Sequence, residues 1–144
     1  MMAFITRLNI LKKMRKENPD AILITERCLH TDSEVFAKML KENKDMSLIH
    51  WKIYDQWSAS LSKEWKPDLV VYVRSEPETS IIRVKKRGRE SEKNITLEYL
   101  KMCHNKHEDW MKGVDSKNKI IFDANKEFIG KNGYRVDELV KILK

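Results

Sequence analysis

The sequence has few of the residues that build cross-linked or linker-rich proteins. Its 144 residues include two cysteines, four glycines and three prolines. Cys28 and Cys103 lie far apart with no second pair, so neither a disulfide framework nor a zinc ribbon is indicated, and we expect two reduced thiols. No repeat, low-complexity tract or Pro/Gly-rich linker interrupts the chain, which favours a single domain over residues 1–144.

Long apolar runs are also missing. The longest, Leu69–Val73 and Ile120–Phe122, are far shorter than the roughly 20 residues of a membrane-spanning helix. Ala3–Ile5 is too brief for the apolar core of a signal peptide. With 41% hydrophobic and 35% charged residues, we expect a soluble, intracellular protein with no membrane partner. We assign it to the cytoplasm, and a mitochondrial or viral origin stays open.

The net charge of +7 favours anionic partners, and its distribution separates the candidates. The basic residues form two clusters: Lys12, Lys13, Arg15 and Lys16, then Arg83, Lys85, Lys86, Arg87 and Arg89. Leu8, Leu11 and Met14 recur at helical spacing within the first cluster, which indicates the solvated face of a helix. Glu90 and Glu92 follow the second cluster and would repel a nucleic-acid backbone. That cluster fits a compact phosphate site better.

Short β-branched runs alternate with longer segments of helical period. The predicted strands are Ala21–Thr25, Asp68–Val73 and Lys119–Asp123. The predicted helices are Asp32–Glu42, Leu48–Trp65, Glu76–Lys86, Thr96–Met111 and Val136–Leu143. Ile53, Trp57 and Leu61 are expected on the buried face of the second of these helices. Near-continuous apolar strands separated by helices predict an α/β fold with a parallel sheet covered on both faces.

Functional residues of such sheets gather at the carboxyl ends of the strands. The predicted strands are followed by Thr25-Glu26-Arg27-Cys28, Arg74-Ser75 and Asp123-Ala124-Asn125. A carboxylate such as Glu26 is a hard oxygen ligand for Mg²⁺, and the Arg27 guanidinium can clamp a phosphate. A plain surface ion pair at the end of a strand is the alternative for this pair.

Three arginines near the middle of the chain form a second candidate site. Arg83 and Arg87 share a helix face, Gly88 can end the helix, and Arg89 can then turn back toward the same anion. This arrangement would neutralise charge on a transferred phosphoryl group. An exposed basic helix end, favoured by the helix dipole, is the alternative.

Two other groups of residues carry weaker signals. Cys103, His104, His107 and Glu108 could be written as a zinc cluster, but only some of them share a helix face and the fourth ligand is unclear. The four tryptophans could stack on bases: Trp51, Trp57, Trp65 and Trp110. We expect Trp57 to be core instead, because it lies on the apolar face of its helix.

Three blocks of sequence resemble the deoxynucleoside kinase family. Glu26-Arg27-Cys28 with Asp32 resembles the family's E-R-S motif and downstream aspartate. I-H-W-K-I-Y-D-Q-W-S-A-S-L at Ile49–Leu61 is similar to the following helix of the deoxycytidine and deoxyguanosine kinases. R-V-K-K-R-G-R-E-S-E-K-N-I-T-L-E-Y-L-K-M-C-H-N-K-H-E-D-W at Arg83–Trp110 is similar to the lid and the helix after it. The resemblance covers nearly the whole chain as the C-terminal two thirds of a kinase domain, with the lid at about 83–95.

The resemblance implies a role for each matching residue. Catalytic positions are Glu26, which would also hold Mg²⁺, and the arginines Arg27, Arg83, Arg87 and Arg89. Positions that bind the deoxynucleoside are Arg7 and Asp32, which would read the base, and Glu92, which would accept a hydrogen bond from the sugar 3′-hydroxyl. Asp123, Asn125 and Phe128 match the loop around the base of the phosphate donor, ATP or another nucleoside triphosphate.

The departures from the family pattern are as informative as the matches. Cys28 replaces the usual serine, which keeps the size but weakens a hydrogen bond. No G-x-x-x-x-G-K-[S/T] occurs among the 144 residues, and no residue matches the family's general base or its base-reading glutamine. The resemblance implies a three-layer αβα P-loop kinase-like fold that here lacks its first two strands and the P-loop. We therefore expect a fragment that is inactive on its own.

Three functions of different classes follow from the sequence. The first is an ATP-dependent deoxynucleoside kinase of nucleotide salvage, which transfers phosphate to a nucleoside 5′-hydroxyl and pairs as a homodimer in the manner of the family. The second is a nucleoside- or nucleotide-binding remnant, or one half of a split kinase whose N-terminal segment is encoded separately. The third is a basic nucleic-acid-binding domain, which the acidic residues after the second cluster disfavour.

Overall fold

The computed structural model describes residues 2–125, and most of them are helical. The helices are α1 (Met2–Glu17), α2 (Leu29–Thr31), α3 (Lys38–Glu42), α4 (Leu48–Ser62), α5 (Pro77–Arg87) and α6 (Leu97–Gly113). A π-helical stretch, Asp32–Ala37, joins α2 to α3, and 3-10 turns occupy Lys63–Trp65, Glu90–Glu92 and Ser116–Asn118. The strands are β1 (Val70–Arg74) and β2 (Lys119–Asp123). The helix predicted at Val136–Leu143 lies outside the described residues.

β1 and β2 form a parallel pair whose register runs from Val70 beside Lys119 to Arg74 beside Asp123. The chain between them contains α5 and α6, as a parallel crossover requires. The amide of Ala124 donates to the carbonyl of Arg74 at 2.7 Å and extends the pairing past the last strand residue. The predicted α/β class with a parallel sheet is confirmed, and both strands end at one edge.

The strand predicted at Ala21–Thr25 is wrong. These residues belong to no strand, because the sheet of the described part of the chain contains β1 and β2 alone. Ile22 and Ile24 are each 77% exposed. β-branched residues indicate a strand locally, but a strand forms only where a neighbour satisfies its backbone N–H and C=O groups. No described strand pairs with this segment, so the strand that its β-branched residues indicate does not form.

A buried hydrophobic cluster joins the helices of the first half of the chain. It contains Phe4, Leu8, Leu29, Ala37 and Tyr54. Phe4 and Leu8 are one turn apart on α1, so that this face packs on α2 and α4 while the basic cluster of Lys12, Lys13, Arg15 and Lys16 remains exposed. The Phe4 ring meets the Tyr54 ring edge-on at 5.9 Å between centroids. The predicted solvated basic face of α1 is confirmed.

The buried face of α4 differs from the predicted one. Of the three residues predicted to be buried, Leu61 packs against the core cluster, but Ile53 is 45% and Trp57 is 58% exposed. Tyr54, Ser58 and Ser62 are the buried residues of this helix. The serine hydroxyls on this face form hydrogen bonds to carbonyls of the preceding helical turn; for example, Ser62 donates to the Ser58 carbonyl at 2.6 Å. Helical periodicity identifies an apolar stripe on a helix, but it does not say which side of the helix packs against the core. Because α4 also has a face of small residues, it is rotated about its axis relative to the prediction.

No helix of the described part is long and apolar enough to cross a membrane.

Candidate functional site

Arg7 and Asp32 form an ion pair between α1 and the start of the π-helical stretch. Arg7 Nε donates to Asp32 Oδ2 at 2.8 Å, and Arg7 Nη1 donates to the Glu26 carbonyl at 3.0 Å. The side chains are 26% and 11% exposed, respectively. The packing of Phe4 and Leu8 fixes α1 against this region, which presents Arg7 to Asp32. The sequence predicted this pair, and the pair is formed.

Arg27 is placed against an aromatic ring. Its guanidinium carbon lies 4.6 Å from the centroid of the Phe36 ring, within the range of a cation–π contact. Phe36 follows Asp32 by one turn, so the ring and the carboxylate belong to one face of the same segment. Arg27 also has φ of 65°, an uncommon backbone conformation for a residue other than glycine. Sequence reasoning missed Phe36, although its spacing from Asp32 was a usable signal.

The neighbours of Arg27 have distinct environments. Glu26 is exposed, and within residues 2–125 its carboxylate has no hydrogen-bond or ion-pair partner. Cys28 caps α2: its amide donates to Thr31 Oγ1 at 3.4 Å, and its Sγ lies 3.4 Å from the same oxygen. The thiol thus keeps the contact expected of a serine in a longer, weaker form.

The lid segment, residues 83–95, folds back on itself. α5 ends at Arg87, and Gly88 caps it in the left-handed conformation with φ of 64°. Arg87 Nε and Nη2 donate to Glu92 Oε2 at 2.9 and 2.6 Å, and Arg89 Nη1 lies 3.4 Å from Oε1. Arg87 and Arg89 thus converge on the carboxylate of Glu92. The phosphate site that the sequence predicts from these two residues and Arg83 stays a prediction.

Arg83 contacts the end of β2. Its Nη2 donates to the Asn125 carbonyl at 3.4 Å. The Asn125 side-chain oxygen accepts from the Glu76 amide at 2.8 Å, while its amide and side-chain nitrogen donate to Asp123 Oδ1 at 2.9 and 2.8 Å. Asn125 therefore connects the loop after β2 to α5 at two points, the N-cap residue Glu76 and Arg83 within the helix. Phe128 lies outside the described residues.

A polar network at the end of β1 was missed by sequence reasoning. Glu108 Oε1 accepts from Tyr72 Oη and from Arg74 Nε, both at 2.9 Å. Arg74 Nη1 also donates to Glu76 Oε1 at 2.6 Å. Burial works against ionisation of Glu108, but these hydrogen bonds hold the pKa of its carboxyl below the usual range. Burial, and then Glu108, raises the pKa of the Tyr72 hydroxyl. Arg74 after a strand was visible in the sequence; its partner 34 residues later was not.

The residues considered for zinc are used otherwise. His107 stacks on Tyr72 with 6.0 Å between centroids, and its Nδ1 donates to the Cys103 carbonyl at 2.7 Å. His104 Nδ1 lies 3.2 Å from the Ser75 carbonyl. Burial lowers the pKa of His107 and raises the pKa of the Cys103 thiol, so both groups are neutral near pH 7. Across residues 2–125 no group of three or more such side chains could hold a metal ion.

The chain matches one family over almost its full length. The sequence model described as "Deoxynucleoside kinase" matches residues 1–142. A match of that extent includes α1 with Arg7, the π-helical stretch with Asp32, the lid segment and the strand ends. The sequence resemblance and the geometry therefore concern the same residues.

Curated relatives agree with this match. The chain is 32% identical over 134 residues to deoxycytidine kinase 2 of Gallus gallus, covering 82% of the chain and 51% of the relative. It is 29% identical over 115 residues to mitochondrial deoxyguanosine kinase of Xenopus laevis, covering 77% and 43%. It is 32% identical over 107 residues to mitochondrial thymidine kinase 2 of Homo sapiens, covering 73% and 40%. The chain thus spans about half the length, or less, of these relatives.

Proposed function

The chain belongs to the deoxynucleoside kinase family, and from this premise we propose that it supplies the nucleoside-binding and lid part of a deoxynucleoside kinase. The reaction is transfer of the γ-phosphate of ATP or another nucleoside triphosphate to the 5′-hydroxyl of a deoxynucleoside, in cytoplasmic nucleotide salvage. The observation that carries the proposal is the Arg7–Asp32 pair, which brings a guanidinium and a carboxylate together in a largely buried position.

The Arg7–Asp32 pair favours bases with adjacent donor and acceptor groups. A carboxylate accepts from an amino group such as N4 of cytosine, and a guanidinium donates to a ring nitrogen or a carbonyl. Thymine presents the carbonyl O4 where cytosine presents its amino group, so a carboxylate there would face a second acceptor. Cytosine and the purines fit this pair, and thymine does not.

Phe36 supports the same placement of the base. Its ring is one helical turn beyond Asp32, so that a base bonded to the carboxylate could lie on the ring face. The Arg27 guanidinium covers that face in the free protein. We propose that the base takes over the ring and that Arg27 then turns toward the phosphate passing to the nucleoside.

The lid arginines and Glu26 supply the charges that phosphoryl transfer needs. Arg83, Arg87 and Arg89 lie within one helix end and the turn after it, where they can neutralise the transferred group from one side. Glu92, on the same turn, would accept from the sugar 3′-hydroxyl. The loop with Asp123 and Asn125, which Arg83 contacts, would face the base of the phosphate donor.

The residues present fit a magnesium ion of the loosely held kind. Glu26 has an exposed carboxylate with no partner in the described part of the chain, and a single carboxylate with substrate phosphates and water is a usual Mg²⁺ site. The ion would supply charge neutralisation on the phosphates when bound. The chain's own contribution is one oxygen ligand and the arginines around it.

An exposed apolar stripe supports the proposal of a homodimer. Ile49, Ile53 and Trp57 repeat at four-residue spacing along α4, and all three side chains are exposed. An apolar cavity of about 240 Å³ lies beside Trp57, lined also by Phe4 and Ile5 of α1. A contiguous apolar surface of this kind marks an interface more often than free surface. We propose that two copies of the chain pair through α4.

The proposal is tested by deoxycytidine binding to the chain itself. Isothermal titration should detect deoxycytidine binding to the wild type and at least a tenfold loss in Asp32→Asn, which removes the charge and leaves the shape. Asp45→Asn makes the same change at an exposed site and should bind as the wild type does. Affinity should change little with salt; a steep fall with salt for an oligonucleotide and no deoxycytidine binding would favour a nucleic-acid function instead.

A further inference from the structure

The lid segment contains an internal ion pair that occupies its own anion site. We propose that Glu92 acts as a built-in competitor of phosphate: its carboxylate fills the site formed by Arg87 and Arg89 until a phosphate displaces it. The displaced carboxylate is then free to accept a hydrogen bond from the sugar. This inference rests on the proposed function for the identity of the sugar ligand, but the competition itself depends on the lid geometry alone.

The first step of the argument is how fully Glu92 is engaged. Both carboxylate oxygens have arginine partners: Oε2 accepts two bonds from Arg87, at 2.9 and 2.6 Å, and Oε1 lies 3.4 Å from Arg89. The Glu92 side chain is only 16% exposed, whereas the arginines remain largely open to solvent. The guanidinium groups therefore cover the carboxylate while keeping access to an incoming anion.

The second step is the chemistry of the exchange. A guanidinium fork binds carboxylate and phosphate through the same pairs of N–H groups. The two anions cannot use those groups together, because the fork has one set of N–H directions. A phosphate that binds Arg87 must therefore break the bonds to Oε2. The apparent affinity for phosphate is the intrinsic affinity multiplied by the fraction of molecules whose arginines are free of Glu92.

The third step is the backbone that makes the contact possible. Gly88 reverses the chain after α5, and the turn Glu90–Glu92 is closed by a bond from the Glu92 amide to the Arg89 carbonyl at 3.0 Å. The reversal aims Glu92 at Arg87 five residues earlier. Its neighbour Glu90 points elsewhere, pairs with Lys93 and is 83% exposed. Competition for the arginines is thus specific to one of the two lid carboxylates that follow Arg89.

The consequence is coupling between two ligands. Phosphate binding frees Glu92, and a free carboxylate is a better acceptor for a sugar hydroxyl than one already bonded on both oxygens. By linkage, a nucleoside that holds Glu92 must improve phosphate binding by the same factor. The lid would therefore favour the doubly occupied state over either singly occupied one.

The test compares two substitutions that remove the same charge. Pyrophosphate is titrated into wild type, Glu92→Gln and Glu90→Gln, with binding followed by NMR chemical shifts. Glu92→Gln should bind pyrophosphate about three- to fivefold more tightly, which corresponds to the upper part of the range of a surface ion pair. Glu90→Gln should match the wild type within about twofold, since it does not touch the arginines. Glu92→Ala, which removes the carboxylate without a substitute amide, should behave as Glu92→Gln does.

Three results would overturn the proposal: equal affinity in all variants, equal tightening by Glu90→Gln and Glu92→Gln, or no pyrophosphate binding by any variant. A second titration separates this proposal from the proposed function. Deoxycytidine should bind the wild type several-fold more tightly with pyrophosphate present, and Glu92→Gln should lose that dependence. If pyrophosphate shows the competition but deoxycytidine never binds, the kinase function fails and the internal competitor stands. If deoxycytidine binds through Asp32 and the Glu92 variants change nothing, the reverse holds.

Discussion

Asp32 carries a carboxylate that is only 11% exposed and is bonded to Arg7. Removing one partner of a largely buried pair leaves a charge without compensation, which costs several kcal/mol when burial is complete. The partial exposure of Arg7 reduces that cost through solvent screening. The pair is therefore important for stability as well as for any base it reads.

Arg7→Leu should lower the free energy of unfolding by about 2 kcal/mol, because the Asp32 carboxylate would lose its partner. Arg7→Leu with Asp32→Leu should restore much of that loss, since neither charge remains. Urea denaturation of the wild type, both single variants and the double variant closes the cycle. If the two single effects simply add in the double variant, the pair contributes no coupling and this account of Asp32 is wrong.

His107 illustrates a residue whose environment sets a pH dependence. Burial lowers the pKa of its ring, opposed by the bond to the Cys103 carbonyl and by Glu108, and supported by the charges of Arg27 and His104. The folded ring therefore takes up a proton only at a lower pH than an unfolded histidine, which titrates near 6.5. The unfolded state binds more protons below that value, so stability falls as the pH drops through it.

We therefore expect the free energy of unfolding to decrease from pH 7.5 to pH 5.5. His107→Phe should flatten part of this slope, because it keeps an aromatic ring against Tyr72 and Phe36 without the titration. We attribute the remaining pH dependence to His30, because burial also lowers the pKa of its ring. The carboxyls with lowered pKa, Glu78, Glu108 and Asp109, lose their contribution only below about pH 4.5. An unchanged slope in His107→Phe, measured by urea denaturation across this range, would contradict the assignment.

Single residues show what the sequence could and could not predict about the site. Arg7, Asp32 and the lid arginines were predicted because each belongs to a motif with a recognisable pattern. The contact of Arg27 with Phe36 was not, because it depends on how two segments pack. The Tyr72, Arg74 and Glu108 network was missed for the same reason, since its members lie on a strand and on a helix 34 or more residues later.

At the scale of elements, α5 and the turn after it depend on one glycine. Gly88 adopts φ of 64°, and a Cβ there would meet only the Lys85 carbonyl at 3.9 Å. The space is open, so the cost of a side chain comes from the left-handed backbone. Steric clashes with neighbouring side chains make no contribution.

Gly88→Ala should therefore destabilise the protein by about 1 kcal/mol. It should also loosen the turn that aims Glu92 at Arg87. Gly88→Asn should cost less, because asparagine tolerates this conformation better than alanine. Thermal unfolding of the three proteins provides the measurement, and equal stability of Gly88→Ala and the wild type would contradict the strained-cap interpretation.

The outward stripe of α4 gives the second prediction at this scale. Ile53→Glu should shift the protein toward monomer in analytical ultracentrifugation, because a charge at the centre of a dry interface is costly. Ile82→Glu makes the same change at an exposed position of α5 and should leave the association state unchanged. A wild-type protein that is monomeric at all concentrations, or equal effects of both variants, would remove α4 as the interface.

Elements also show where the pattern of apolar residues was sufficient. The bounds of β2 were predicted as observed, and those of β1, α5 and α6 differ by one or two residues, because strand and helix periods are local properties. The rotation of α4 and the state of Ala21–Thr25 were not predicted. Both depend on what packs or pairs with the segment, and that is a property of the whole fold.

At the scale of the molecule, positive charge is divided between two places with different uses. Lys12, Lys13, Arg15 and Lys16 of α1 are exposed to solvent, while Arg87 of the lid segment pairs with Glu92 and Arg83 contacts the end of β2. The Arg7–Asp32 pair joins α1 to the start of the π-helical stretch. We propose that the first group is a solvated face and that the second is positioned for the phosphates of a small ligand rather than for a polyanion.

The central claim is that Arg7 and Asp32 read the base of a deoxynucleoside. The most direct measurement is the ratio of deoxycytidine to thymidine affinity, by calorimetry, for the wild type and for Arg7→Met with Asp32→Ala. The wild type should prefer deoxycytidine at least tenfold, and the double variant should lose that preference or reverse it toward thymidine. A double variant that folds and keeps the wild-type preference for deoxycytidine would contradict the claim.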